Sequence, residues 1–246
     1  MIEIVNLTKR FGELVAVDNL NINIKEGELF AFLGPNAAGK TTTIKMLVGL
    51  MKPTAGEVYL NNFDIKKDYL AAKQIISYIP DVPFLYEKLT AREFLEFIVD
   101  LYDLDRSEKV KEIVELLGSF NLSGVQHELI ENYSHGMRQK LIFAAAFLHE
   151  PMVLIIDEPM VGLDPHSAKV LKEILKQKTR TGVTVFLSTH TLSVAEELAD
   201  RIGIIDHGRL VACGTLDELS RDTGIHGTLE QIFLQLTDGK NADDRI

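Results

Sequence analysis

The sequence predicts an α/β fold: a mostly parallel sheet forming a phosphate-binding core, an N-terminal antiparallel β-subdomain and an inserted α-helical subdomain. Three observations predict it. Gly34-Pro35-Asn36-Ala37-Ala38-Gly39-Lys40-Thr41-Thr42 fits G-x-x-x-x-G-K-[ST] between a strand-like and a helix-like run. An unbroken apolar run, Val153 to Ile156, and a second mostly apolar run, Val183 to Leu187, read as strands buried on both faces, as in parallel sheets. Each ends in polar residues, Asp157-Glu158 and Ser188-Thr189-His190. From Thr90 to Phe120 the apolar period becomes helical.

The elements follow in order. Ile2 to Leu7 reads as a strand, Phe11-Gly12 as a turn, and Leu20 to Ile24 alternates like a half-buried strand. Glu26-Gly27 reads as a hairpin turn into the strand Glu28 to Leu33. A helix from about Gly39 to Leu50 follows the glycine-rich loop, then a turn at Lys52 to Gly56, and strands at Glu57 to Leu60 and Ile75 to Ile79, the last ended by Pro80. Phe94, Phe97, Ile98 and Leu101 share one helical face, and Val110, Ile113, Val114 and Leu117 another; Thr90 with Glu93 reads as a capping box. Ser134 is an N-cap for a helix to about His149, stopped by Pro151. Gly162-Leu163-Asp164-Pro165 caps a helix to about Lys178. A helix at Leu192 to Ala199, strands at Arg201 to Ile205 and Arg209 to Ala212 around the His207-Gly208 turn, and short helices at Leu216 to Leu219 and Leu229 to Leu236 complete the reading. Residues 1–236 are expected to form one domain: 1–81 and 150–213 the core with its β-subdomain, 82–149 the helical insertion, and 214–236 C-terminal helices. The polar tail 237–246 is expected to fray.

Successive backbone N–H groups in the loop Gly34 to Thr42 make an anion nest, and the helix N-terminus adds partial positive charge. Lys40 sets an ammonium over the outer phosphates, and the Thr41 hydroxyl is a Mg²⁺ ligand. Asp157, at a strand end facing that loop, shares the Mg²⁺ through water. Glu158 points beyond the terminal phosphate, where a carboxylate orients and deprotonates water. His190 ends a second buried strand at the edge where such sheets present ligand chemistry. Phe11 is either an adenine-stacking ring or a core aromatic. The 246 residues are 46% hydrophobic with net charge −10, which argues against a general nucleic-acid binder. The single cysteine closes no internal disulfide, and no Cys/His set has zinc spacing. The longest apolar stretch, Leu141 to Ile156, is interrupted by His149, Glu150 and Pro151 and is too short to span a bilayer. No signal peptide is read at Met1-Ile2-Glu3, and a cytoplasmic location is expected.

Taken together these residues resemble the nucleotide-binding subunit of an ABC transporter, a P-loop NTPase, over about residues 1–236. Gly34 to Thr42 stand as Walker A, Tyr133 to Lys140 as the signature, and Leu154 to Glu158 as Walker B. Gly162-Leu163-Asp164 looks like the D-loop, His190 like the switch histidine, and Phe11 takes the place of the adenine-stacking aromatic. The resemblance implies ATP and Mg²⁺, and a head-to-tail dimer, homomeric or heteromeric. In it Ser134 and the Gly136 N–H of one copy cap the γ-phosphate held by the other. It implies ATP hydrolysis coupled to an integral-membrane permease, so that the subunit sits on the inner membrane face without nucleic acid as partner. Tyr-Ser-x-Gly-Met with Gln139, and the ending Gly214-Thr215-Leu216 through Phe233, are similar to the branch serving drug, lipid or ion exporters.

Two departures from the family bear on chemistry. Ala37 stands where Gly is usual; if that position needs positive φ, its Cβ costs about 1–2 kcal/mol. Asp81 stands for the Q-loop glutamine; it can ligate Mg²⁺ but, ionised, donates no hydrogen bond. Met137 also replaces a common signature glutamine. Phe84, Leu85, Tyr86 and Leu89 are read as a groove for the permease's coupling helix, or else as core. Alternatives are a ribosome- or DNA-associated ATPase of the same family, a P-loop kinase or small GTPase, and a weakly hydrolysing regulatory subunit. A single P-loop, the absence of long heptads and the acidic charge count against the first. The signature helix, the Asp157-Glu158 pair and His190 count against the kinase.

Overall fold

The computed structural model describes residues 1–225 and 227–238. Two sheets organise it. In the first, strands β1 (Ile2–Phe11), β2 (Leu14–Ile24), β4 (Ala55–Leu60) and β5 (Phe63–Asp64) run antiparallel in the order β2-β1-β4-β5. In the second, β3 (Leu29–Leu33), β6 (Ile76–Ile79), β7 (Val153–Asp157), β8 (Thr184–Thr189), β9 (Arg201–Asp206) and β10 (Arg209–Gly214) take the order β10-β9-β3-β8-β7-β6. Every pairing there is parallel except β9 with β10. The expected α/β class with a mostly parallel sheet and an antiparallel β-subdomain is the one observed.

Alternation in the central strands explains the layers, because successive side chains leave a strand on opposite faces. Leu154 and Ile156 join Val185 and Leu187 in the cluster under the helices α3 (Ala91–Leu101), α4 (Arg106–Ser119), α5 (His135–Leu148) and α6 (Pro165–Arg180). Val153 and Ile155 face the other way with Phe30, Phe32 and Phe186, against α1 (Lys40–Leu47) and the first sheet. A third cluster joins Ala31, Leu33, Ile202 and Ile204 to α7 (Leu192–Leu198), α8 (Leu216–Thr223) and α9 (Leu229–Asp238). Thr90 caps α3 with its hydroxyl accepting from the Glu93 N–H while Glu93 answers the Thr90 N–H, the reciprocal box expected. Residues 239–246, most of the expected tail, lie outside the described residues; Thr237 and Asp238 continue α9.

Three readings change. The Glu26-Gly27 turn is not a hairpin, because β2 and β3 belong to different sheets. The turn is tied to the second sheet instead: buried Glu28 pairs with Arg201 at 3.0 Å, and the Leu29 N–H donates to Asp200 at 2.8 Å. The helix α1 ends at Leu47, not Leu50, as Gly49 turns the chain with φ +71°. The hairpin β4–β5 and the helix α2 (Tyr69–Gln74) were not anticipated, although Asn61-Asn62, both at positive φ, is a recognisable tight-turn pair.

Candidate functional site

At the carboxyl ends of β3, β7 and β8, one cavity of 530 Å³ is walled by the 36–42 loop, Asp81, Asp157, Glu158 and His190, with Phe11 at its mouth. A volume in this range suits a drug-sized or nucleotide-sized ligand. Parallel pairing brings these groups together. Residues β7 Asp157 and β8 Ser188 are register partners, so the acids of one strand end meet the polar end of its neighbour.

The loop is built for close approach. Gly39 holds φ +107°, and a Cβ there would stand 2.6 Å from the Ala16 carbonyl oxygen, so only glycine serves. Ala37 does sit in the left-handed region, at φ +64°, and is exposed. Lys40 is only 7% exposed and turns back on its own loop, donating to the carbonyls of Gly34 at 2.6 Å and Pro35 at 2.9 Å. Burial lowers its pKa, against the pull of Glu158 and Asp157.

Asp157 is 3% exposed and accepts from the Thr41 hydroxyl at 3.1 Å and from the Ser188 hydroxyl. Glu158 follows with φ +50°, a strained value for a non-glycine residue, and its own N–H donates to the Ser188 carbonyl at 3.0 Å. Its carboxylate is held by His190 Nδ1 at 2.7 Å and by the Thr189 hydroxyl at 3.2 Å. Tyr78, half-buried on β6, has its pKa pushed up to about 12 by burial and by the charges of Asp157 and Asp81. Asp81 is exposed in the loop after β6.

A hydroxyl beside one carboxylate is the hard-oxygen set that suits Mg²⁺, which keeps waters and takes few protein ligands. Among the described residues no group of three or more His, Cys, Asp or Glu forms a fuller metal cage.

Ser134, Gly136 and Asp164 do not line this cavity. Ser134 is exposed at the start of α5, its hydroxyl accepting from the Met137 N–H at 3.3 Å. Asp164 caps α6, accepting from the Ser167 N–H and hydroxyl, and pairs with Lys140 at 3.0 Å. These bonds hold its carboxyl far below the usual range. Sequence reasoning missed Ser188 and Thr189 as supports for the two acids, and Leu14, Ala16 and Val161 as apolar wall. The polar ending of the Val183 to Leu187 run was the available signal for the first two. It also passed over His135, whose ring packs against Gly162 so closely that a Cβ there would fall 2.2 Å from it.

The sequence profile described as ABC transporter matches residues 17–161. The bacitracin transport ATP-binding protein of Bacillus licheniformis is 40% identical over 228 residues, which cover 90% of this chain and 72% of that protein. A solved ATP-binding subunit of an ABC transporter superposes with a TM-score of 0.92 at 34% identity, covering 96% of this chain and 99% of its own. A dimeric ATP-binding cassette, solved in a post-hydrolysis state with ADP and phosphate, superposes with a TM-score of 0.80 at 29% identity over 88% of this chain and 99% of its own.

Proposed function

The chain belongs to the ABC transporter family, and on that premise we propose how its residues divide the work of an exporter's motor. It is an ATP-binding subunit and an ATPase. Export is the direction we assign, in keeping with the antibiotic-transport relative and the Tyr133-Ser134-His135-Gly136-Met137 signature.

The triphosphate lies in the nest from Gly34 to Thr42, with Phe11 against the base and Lys40 swung from its own carbonyls onto the outer phosphates. Thr41 and Asp157, with Asp81 lining the same cavity, would hold Mg²⁺, which would neutralise charge on those phosphates when bound. Glu158 takes the proton of the attacking water, and His190 orients that carboxylate and the terminal phosphate. Ser134 and the Gly136 N–H of a second copy close the site, and Asp164 positions the junction. A serine at a helix N-terminus is itself suited to an anion. ATP binds the closed pair better than the open one, so hydrolysis releases it. Among the described residues no helix is long and apolar enough to cross a membrane. A separate permease is the partner we assign, in keeping with the transporter ATP-binding relatives, placing the subunit at the inner membrane face. Of the groove read from the sequence, Phe84 and Tyr86 are exposed and form the docking surface we assign, whereas Leu85 is buried and Leu89 packs against the core, because both face the helical cluster.

The observation that carries this reading is the Glu158–His190 contact of 2.7 Å beside the Thr41–Asp157 contact of 3.1 Å in one cavity. Removing a general base costs about 10²–10⁴ in rate. Glu158→Gln should lose that much phosphate release while still binding ATP, and with ATP it should shift from monomer to dimer by light scattering. Undiminished turnover in this variant, or a monomer under every nucleotide condition, overturns the assignment.

A further inference from the structure

Gln139 is the one side chain among the described residues with both amide atoms buried and without a hydrogen-bond partner; its exposure is 0%. An amide in that state is unfavourable, and a hydrophobic residue of the same shape would be tolerated better. So the buried amide is not there for the stability of this conformation.

Its position on α5 indicates what it is for. Gly136, Gln139 and Lys140 share one helix face, being three and four residues apart. That face looks onto the loop that follows Glu158. A Cβ on Gly136 would lie 2.7 Å from the Gly162 carbonyl oxygen, and Lys140 reaches Asp164 at 3.0 Å. A long helical side chain leans toward the N-terminus of its helix, which carries the Gln139 amide toward Gly136 and the carbonyl standing over it. Among the described residues the Gly162 carbonyl accepts no hydrogen bond. Inside the loop the backbone bonds are long, Val161 N–H to Glu158 and Leu163 N–H to Met160 each at 3.3 Å, while its ends are fixed by Glu158 N–H to Ser188 at 3.0 Å and by Lys140 to Asp164. Glu158 enters it at φ +50°.

We propose that Gln139 is a positioning residue that pairs with the backbone of the 158–164 loop, the Gly162 carbonyl first, when that loop takes its working position. The unpaired amide makes the resting position of the loop less favourable, and the pairing rewards the shift. Because Glu158 heads the loop and Ser134 heads α5, Gln139 links the carboxylate of one site to the signature end that serves the other. The inference rests on the ATPase reading above for its catalytic consequence, but not for its structural one.

Gln139→Met, which keeps shape and removes the amide, tests it. In nucleotide-free protein the variant should melt about 2–4 °C higher, the shift expected when one unfavourable buried group is removed from a chain this size. In ATP turnover its kcat should fall about tenfold with KM within twofold, since the ground-state nucleotide contacts are untouched. Hydrogen exchange should show ATP-dependent protection of 160–163 in wild type and its loss in the variant. A lower melting temperature means the amide is already paired and overturns the proposal. So does a higher melting temperature with unchanged kcat and unchanged loop protection. If wild type itself hydrolyses no ATP, the function assigned above fails, while the melting and exchange measurements still decide the role of Gln139.

Discussion

The sheet edge to which we assign the nucleotide chemistry and the helical segment that ends in α5 are built on different terms. At the edge the backbone is strained, with Ala37 at φ +64° and Glu158 at φ +50°, and ionisable groups are buried, with Lys40 at 7% and Asp157 at 3% exposure. In the helical segment the caps are satisfied: Thr90 and Glu93 reciprocate, Asp105 caps α4, and Ser134 caps α5. There the anomaly is apolar exposure. Phe84 is 78% exposed, with Tyr86 beside it and Phe97 edge-on to Tyr86. Positive φ alone does not separate the two regions, since Asp103 and Asn121 in the helical segment share it; what differs is buried charge, suited to a small polar ligand, against bare apolar surface, suited to a macromolecule.

The contrast can be broken in four ways beyond the Glu158 and Gln139 tests. The largest effect is expected at Lys40. Lys40→Ala removes a charge-assisted contact of roughly 1.5–3 kcal/mol, so ATP affinity should fall about 10- to 100-fold in a fluorescent-nucleotide titration. The nucleotide-free protein should melt no lower, because burial already disfavours the ammonium. A large loss of stability would mean that Lys40 serves the fold. Next is Phe84→Asp on the helical side. It should keep the wild-type melting temperature within a degree, as an exposed position, yet lose capture of the permease by roughly 2 kcal/mol or more, the size of an interface hot spot. Undisturbed capture by folded protein removes the docking surface from the account.

Ala37→Gly sharpens the claim about strain. Relief of about 1–2 kcal/mol at positive φ is offset by about 0.5–1 kcal/mol of glycine entropy. The melting temperature should rise by about 2–4 °C for each net kcal/mol. An unchanged or lower value would show that the loop holds no strain worth relieving. The smallest effect concerns pH and lies where the two regions meet. His149, at the end of α5, stacks on Tyr102 at 3.9 Å and bonds the Ile76 carbonyl through Nε2 at 3.1 Å. Burial, with Lys109 nearby, lowers its pKa from the ordinary 6.5, so the folded state prefers it neutral. Its stabilising contribution is complete above pH 6.5 and is lost as pH falls through the depressed folded value. Between pH 7.5 and 5.5, wild type should lose about 1–3 °C more than His149→Gln. Parallel melting curves would remove His149 from the acid response.

Local signals read well because they need only neighbours in sequence. The glycine-lysine loop, the Thr90–Glu93 box and the Ser134 cap are satisfied by atoms a few residues away, and the apolar runs ending in Asp157 and Thr189 imply buried parallel strands by composition. The hairpin β4–β5 and α2 escaped because each is short and its apolar residues are too few for a period. The Glu26-Gly27 turn misled because a turn fixes a change of direction, not the partner of the strand that follows. Likewise, nothing in Tyr133 to Lys140 indicates that Gln139 ends up without a partner, since that depends on what packs over one face of α5.

The amino-acid order alone marked a phosphate-binding loop pattern and placed two acids and a histidine on strand ends, because those features follow from residue type and period. Only the tertiary structure decided that β2 and β3 part into separate sheets, and that Glu158 meets His190 across thirty-odd residues of chain. It alone decided that Lys140 finds Asp164 while Gln139 finds nothing. Those outcomes turn on distances of a few ångströms between segments remote in sequence, which are set by the packing of sheet against helix and have no local signature.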